Sequence, residues 1–282
     1  MSTPSRIAGH DARRLSQRFN RAFWRQLKQL RQKVFPHPVQ QHVFVAGMQR
    51  SGTNLLMDVL DASQNTQVFH ETDPRAFLHY EMRDRNHIQQ LAAECPAPVF
   101  VIKALCELDQ ITSLMRVFSQ ARTLWVIRDW RDSVNSAIQS FGNFVQQWHR
   151  LAYSPEINDW RGHGMSDATR AVLRTLYRSD ASEADGAAIM WYYRNILFFE
   201  QQLEYDPRVR LIFYEDLVQD PVPQVAAVYK FLGLAGFNTR IAHQIHARSI
   251  SRRSAPDVTP AVAELCNVLH IRFMTYRKGG TA

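Results

Sequence analysis

The stretch that most constrains this chain runs from Val43 to Leu56, VFVAGMQRSGTNLL, where an apolar run meets a small-residue turn with one arginine and then an apolar-periodic segment. Val43, Phe44 and Val45 give a short buried-strand signal, and Leu55, Leu56, Val59 and Leu60 repeat at helical spacing. Gly47 and Gly52 bracket the loop between them. Glycine lets a backbone approach a ligand closely, and the unpaired N–H groups of a helix start point at whatever anion sits there. The pattern predicts a strand, a phosphate-sized loop and a helix.

Nucleoside-triphosphate loops follow G-x-x-x-x-G-K-[ST], in which the lysine reaches the terminal phosphates and the hydroxyl residue holds magnesium. In the frame Gly47 to Gly52, Thr53 stands in the lysine's place and Asn54 in that of the hydroxyl residue. The cradle is kept and the lysine-and-metal apparatus is lost. Arg50, before the second glycine, would flank the anion from the loop itself. That suits a monoanionic transferable group better than a magnesium-bound triphosphate.

At 282 residues and 45% hydrophobic content the chain is long enough for one large α/β domain with insertions. No stretch approaches the roughly 18 apolar residues of a membrane span, and MSTPSRIAGHDARR does not lead into the apolar core of a secretory signal. A cytoplasmic protein is therefore expected. Cys95, Cys106 and Cys266 form an odd set without metal spacing, which reads as free thiols in a reducing compartment. The formal charge of +8 favours an anionic ligand. Much of the excess lies in Arg13, Arg14, Arg18, Arg21, Arg25, Lys28, Arg31 and Lys33, and the far less basic body argues against nucleic acid as a partner.

Those cations interleave with Leu15, Phe19, Phe23, Leu27, Leu30 and Val34, at three- and four-residue steps that predict an amphipathic helix over residues 11–34. Docking on the domain or on a second subunit is the favoured reading, with peripheral contact to an anionic bilayer as the alternative. Pro36 and Pro38 end the helix.

Further motifs follow in a definite order. Val68 and Phe69 lead to His70, Glu71 and Thr72; PVFVIK ends in Lys103; ARTLWVI runs into Arg128-Asp129-Trp130-Arg131-Asp132 and on to Ser136. VRLIF continues as Tyr214-Glu215-Asp216-Leu217, then Asp220-Pro221 and Phe231-Leu232-Gly233. With R-S-G-T-x-L-L at Arg50 to Leu56, this series resembles the sulfotransferases, over about residues 42–233. The resemblance implies that the loop binds the 5′-phosphosulfate end of 3′-phosphoadenosine 5′-phosphosulfate (PAPS) and that adenosine 3′,5′-bisphosphate (PAP) is the product, with no metal. Arg50 and the segment Ser51, Gly52, Thr53 and Asn54 would hold the phosphosulfate. Glu71 stands at the separation from the loop arginine at which carbohydrate and tyrosylprotein sulfotransferases carry their base; His70 is the second candidate, because the cytosolic branch uses histidine. Lys103 would assist the leaving group. Arg128 and Ser136 match the pair that binds the 3′-phosphate, although Trp130 replaces the family's common proline. Tyr214 would touch the adenine, and the tail loop with Ser249, Ser251, Arg252 and Arg253 would lie over the 3′-phosphate.

The expectation is an α/β fold of the P-loop-like sulfotransferase type, a central parallel sheet from strands near residues 43, 99, 123 and 209 flanked by helices. Residues 1–38 would form the basic N-terminal helix and residues 39–282 the sulfotransferase domain, with residues 141–186 as a substrate-side insertion. The acceptor, bearing a hydroxyl or amine, stays open among small molecule, carbohydrate, lipid and peptide, and a homo-oligomer is left open as well.

Overall fold

The apolar runs assemble into one sheet. The computed structural model describes residues 26–118, 120–154, 159–236, 239–243, 245, 250 and 254–279. A helix over residues 26–34 (α1) leads to β1 (Gln41–Ala46), the glycine-bracketed loop and α2 (Thr53–Asp61). β2 (Thr66–Phe69), a hairpin of β3 (Phe77–Leu78) and β4 (Glu81–Met82), α3 (Arg85–Ala93), β5 (Val99–Ala104) and α4 (Ile111–Val117) follow. β6 (Ala121–Ile127) then precedes α5 (Trp130–Ser140), α6 (Phe144–Tyr153), α7 (Asp167–Leu176) and α8 (Glu183–Glu200). Last come β7 (Val209–Phe213), α9 (Tyr214–Gln219), α10 (Pro221–Leu232), α11 (Thr239–Ala242) and α12 (Pro260–Gly279). The first part of the helix expected over residues 11–34, and Ser249, Ser251, Arg252 and Arg253, lie outside the described residues.

Five strands pair in parallel in the order β2-β5-β1-β6-β7. The four expected strands are all present. The fifth, β2, is a four-residue edge strand whose TQVF is too short for a period to separate it from loop. Alternation sorts the side chains between two cores. Phe44, Phe100, Ile102, Trp125 and Ile127 pack on the face covered by α4, α5, α6, α8 and α12. Val43, Val45, Val99, Val101, Leu124 and Val126 pack on the opposite face, under α2, α9 and α10.

α8 begins at Glu183 because Ser182 and Asp185 form a capping box. It stops before Gln202, which adopts φ 57°. Residues 141–186 are more regular than an irregular insertion: α6 and α7 pack together, and α6 crosses α8 at Gly186, where a Cβ would lie 2.6 Å from the Phe144 carbonyl carbon.

Glu107, just beyond β5, is buried; its Oε1 accepts the Met82 N–H at 2.6 Å, while Oε2 is buried with no hydrogen-bond partner among the described residues. Burial pushes this carboxyl up to about 7, against the opposing pull of the Met82 N–H. The folded chain thus keeps a proton that the unfolded chain releases near 4.5, so stability falls as pH rises from about 4.5 through about 7 and is level above. At about 1.4 kcal/mol per unit the whole window amounts to roughly 3 kcal/mol. Urea midpoints across this range should therefore decline more steeply for the wild type than for Glu107→Gln; parallel profiles would show that the proton is not held.

Candidate active site

The connection from β1 passes to α2 on one face of the sheet, and that from β6 to α5 on the other. Ligands of open α/β sheets bind at such a switch point, beyond the carboxyl ends of the strands. A cleft of about 750 Å³ lies there.

Its floor is the loop between Gly47 and Gly52. These glycines hold φ 141° and 99°. A Cβ at Gly47 would lie 2.5 Å from the Val126 carbonyl oxygen, and one at Gly52 2.2 Å from Cδ2 of Tyr214. The loop is pressed between β6 and the Tyr214 ring, so both positions need glycine for space and for conformation. Arg50 takes φ 69°. Ser51 donates its N–H and its hydroxyl to the Met48 carbonyl at 3.2 and 2.6 Å, so it shapes the turn from inside and is absent from the described cleft wall. α2 then starts without a side-chain cap and without an acidic residue in its first turn. Gly52, Thr53, Asn54 and Leu55 line the cleft, and their N–H groups precede the first intrahelical bond, from Leu56 to Gly52. Uncapped donors at the positive end of a helix make an anion cradle.

Lys103 follows from the strand period. It shares the face of Val99 and Val101, the one that α2 covers, and so meets the first turn of that helix. Its ammonium donates to Glu71 Oε1 at 2.6 Å and to Asn54 Oδ1 at 2.7 Å. Lys103 is only 2% exposed. Burial lowers its pKa from the ordinary lysine value, and the hydrogen bond and charge of Glu71 oppose that. Glu71 stands on the cleft wall, with Oε2 buried and unpartnered among the described residues. His70 is not among the described residues of the wall, and its Nε2 is buried without a partner among them.

Arg128, two residues past Val126, extends the same face at the end of β6. One guanidinium nitrogen donates to the Arg50 carbonyl at 3.2 Å, another lies 3.8 Å from Asp132 Oδ2 one turn on, and the group sits 4.8 Å above the Tyr214 ring. The backbone beneath is pinned: Trp191 Nε1 donates to the Arg128 carbonyl at 3.1 Å, and the Asp129 N–H donates to Glu215 Oε1 at 3.0 Å. Arg50 Nε donates to Ser136 Oγ at 2.9 Å. Arg50, Arg128, Ser136 and Tyr214 all line the cleft. Ser249, Ser251 and Arg252 are outside the described residues, but the Ser254 carbonyl accepts from Asn135 of that wall at 3.1 Å.

Trp130 is a packing residue: it is buried, and its Nε1 donates to Asn267 of α12 at 3.0 Å. Glu215 and Asp216 tie α9 to distant elements, Glu215 accepting from the Asp129 N–H and Asp216 from Arg277 at 2.8 Å. Two site contacts escaped the sequence reading, the Asn54 amide on Lys103 and the Asp132 carboxylate beside Arg128. The latter was legible as an i,i+4 pair. The former requires the register of β5 against α2.

A parallel sheet with a glycine-bracketed anion cradle at its switch point and, at two strand ends, cations each beside a carboxylate defines a nucleotide-dependent group-transfer enzyme. The model of the sulfotransferase domain matches residues 40–257. The chain belongs to that family and is a sulfotransferase. Among solved structures, the sulfotransferase domain from the curacin biosynthetic pathway is similar at 12% identity and TM-score 0.50, covering 83% of this chain and 98% of that one. Mouse sulfotransferase SULT7A1 complexed with PAP is 17% identical, with TM-score 0.44 over 87% of this chain and 88% of that one. A sulfotransferase from Alicyclobacillus acidocaldarius is 18% identical, with TM-score 0.48 over 86% and 99%. No curated protein sequence matches the chain.

The Asn54 oxygen favours the charged form of Lys103. Asn54→Ala should therefore lower the lysine's pKa further, and Asn54→Asp, which adds a second carboxylate, should raise it. NMR titration of Lys103 Cε in ¹³C-lysine-labelled protein reads both directions; two unshifted curves would show that the contact is not maintained in solution.

Proposed function

We propose that this cleft moves the sulfuryl group of PAPS, by in-line displacement, to an acceptor hydroxyl or amine, with Glu71 as general base. The observation that carries the reading is the Lys103 ammonium held between Glu71 and Asn54 at the edge of the anion cradle. The donor supplies an activated sulfuryl group on a phosphate–sulfate anhydride. Arg50 and the N–H groups of Gly52 to Asn54 would hold its 5′ end, and the glycine positions that no side chain could occupy fit that close approach. Lys103, which has three ammonium hydrogens and two oxygen partners among the described residues, directs its remaining charge to the oxygen of the departing phosphate.

Glu71 is preferred to His70 because it is the one of the two on the described cleft wall. Its Oε1 is engaged by Lys103, which leaves Oε2 as the oxygen to receive the acceptor's proton. Arg128 and Ser136 are assigned to the 3′-phosphate, and Tyr214, stacked beneath Arg128, to the adenine face. Ser249, Ser251 and Arg252 join the 3′-phosphate site on the sequence resemblance alone. The acceptor enters beside residues 141–186, from which Phe141 reaches the cleft wall while half exposed. The reading is of a cytoplasmic enzyme whose domain spans residues 39–282.

Calorimetric titration should show PAP binding more tightly than ADP by at least about tenfold, with the preference lost in Arg128→Ala. Equal affinities in the wild type, or an undiminished preference in the variant, would remove the 3′-phosphate assignment. For the base, Glu71→Gln should keep PAP affinity within a few-fold while turnover falls by about 10²–10⁴. Turnover retained in that variant would move the role to His70.

A further inference from the structure

The part of the N-terminal basic segment that the structure describes, α1, docks with its polar side. Lys28 and Gln32 are 5% and 6% exposed. The Lys28 ammonium donates to the Asp61 carbonyl at 2.6 Å, to Asp61 Oδ1 at 3.0 Å and to Thr66 Oγ1 at 3.3 Å. It sits at the C-terminal end of α2, where a cation is favoured. Gln32 Nε2 donates to the Gln64 and Thr66 carbonyls at 2.9 and 3.0 Å, beside the edge strand β2.

The apolar residues of its described part face away. Leu27, Leu30, Val34 and Phe35 are 40%, 59%, 58% and 67% exposed. At about 100° per residue, the mean direction of Leu27, Leu30 and Val34 lies about 150° from that of Lys28 and Gln32. The described part of the expected helix meets the domain with its polar side, and its apolar residues are exposed. Arg31 and Lys33 are exposed on the same helix. In the sequence the apolar steps run back through Phe23, Phe19 and Leu15, with Arg25, Arg21, Arg18, Arg14 and Arg13 between and beyond them.

We propose that α1 is a peripheral anchor for an anionic lipid surface, with Leu27, Leu30 and Val34 in the acyl boundary and Arg31 and Lys33 among the phosphate headgroups. Charge selects this occupant. Besides the buried Lys28, residues 12–35 hold seven Lys and Arg and no Asp or Glu, so a second copy laid against the stripe would bring like charges together, whereas an acidic bilayer complements them. No helix among the described residues is long and apolar enough to cross a membrane, and an amphipathic helix with a cationic face binds by lying in the plane of the surface. The placement also spares the reaction. α1 touches the last turn of α2 and the first residue of β2, whereas the cleft lies at the opposite ends of both elements.

The test is flotation of the full chain with vesicles of equal parts phosphatidylglycerol and phosphatidylcholine, against phosphatidylcholine alone. The wild type should bind the anionic vesicles at least about tenfold more tightly, and added salt should weaken the binding. Leu30→Glu with Val34→Glu should reduce it by at least about tenfold, as should Arg31→Glu with Lys33→Glu, since the stripe and the charge act together. All four side chains are exposed, so PAP affinity and melting temperature should not change in either variant, which separates lost anchoring from lost fold. A wild type that does not float with anionic vesicles, or variants that bind as it does, would overturn the proposal. So would sedimentation velocity showing a dimer that the stripe variant dissociates, because the stripe would then be a subunit interface.

Discussion

A lysine ammonium taken out of water needs oxygen partners, and the active-site cleft is arranged around that requirement. Lys103 is almost wholly buried at the end of a central strand, where an unpartnered charge would cost several kcal/mol. Its partners come from two other elements, Asn54 in the first turn of α2 and Glu71 just past the edge strand β2. The three meet because β5 pairs with β1 on one side and β2 on the other, and α2 begins directly above that face. The register of the sheet, which hydrophobic alternation sets, thereby fixes the chemistry. Slipping β5 by one residue would turn Lys103 into the opposite core and place Ile102 or Ala104 under the loop.

The second cation is held differently. Arg128 is surrounded by groups that fix it from several directions: the Arg50 carbonyl, Asp132, the Tyr214 ring and the backbone locks from Trp191 and Glu215. Because Tyr214 also fills the space over Gly52, the loop after β1, the turn after β6 and the start of α9 form one packed unit. A guanidinium suits this position, since it stacks on an aromatic ring while its edges donate. A side chain held this firmly needs little reordering to meet a phosphate, which is how positioning contributes to selective binding.

Much of this was legible in the sequence, because strands and loops report themselves locally. The glycine bracket, the strand ending in Lys103 and the Arg128 to Ser136 spacing each state a residue type and a separation, and the parallel sheet puts their ends together. What was not legible depends on distances between elements. Nothing in R-S-G-T-N shows that the Asn54 amide turns to a lysine 49 positions away, or that the Ser51 hydroxyl closes its own turn. Trp130 reads as a departure until α12 is placed, when it becomes the residue on which that helix docks. The edge strand β2 was missed because four residues, the outer two buried and the inner two half-buried, carry too little pattern.

The basic N-terminal segment shows a different limit. Apolar periodicity establishes that a helix has two faces, and the usual inference is that the apolar one covers the chain's own core. That inference assumes the core has apolar surface left at the point of contact. Here the surface that α1 meets is the end of α2 and the border of an edge strand, both of which present backbone carbonyls. Carbonyls call for donors, and Lys28 and Gln32 supply them. The polar face is consumed in attachment, and the apolar face is the exposed one among the described residues.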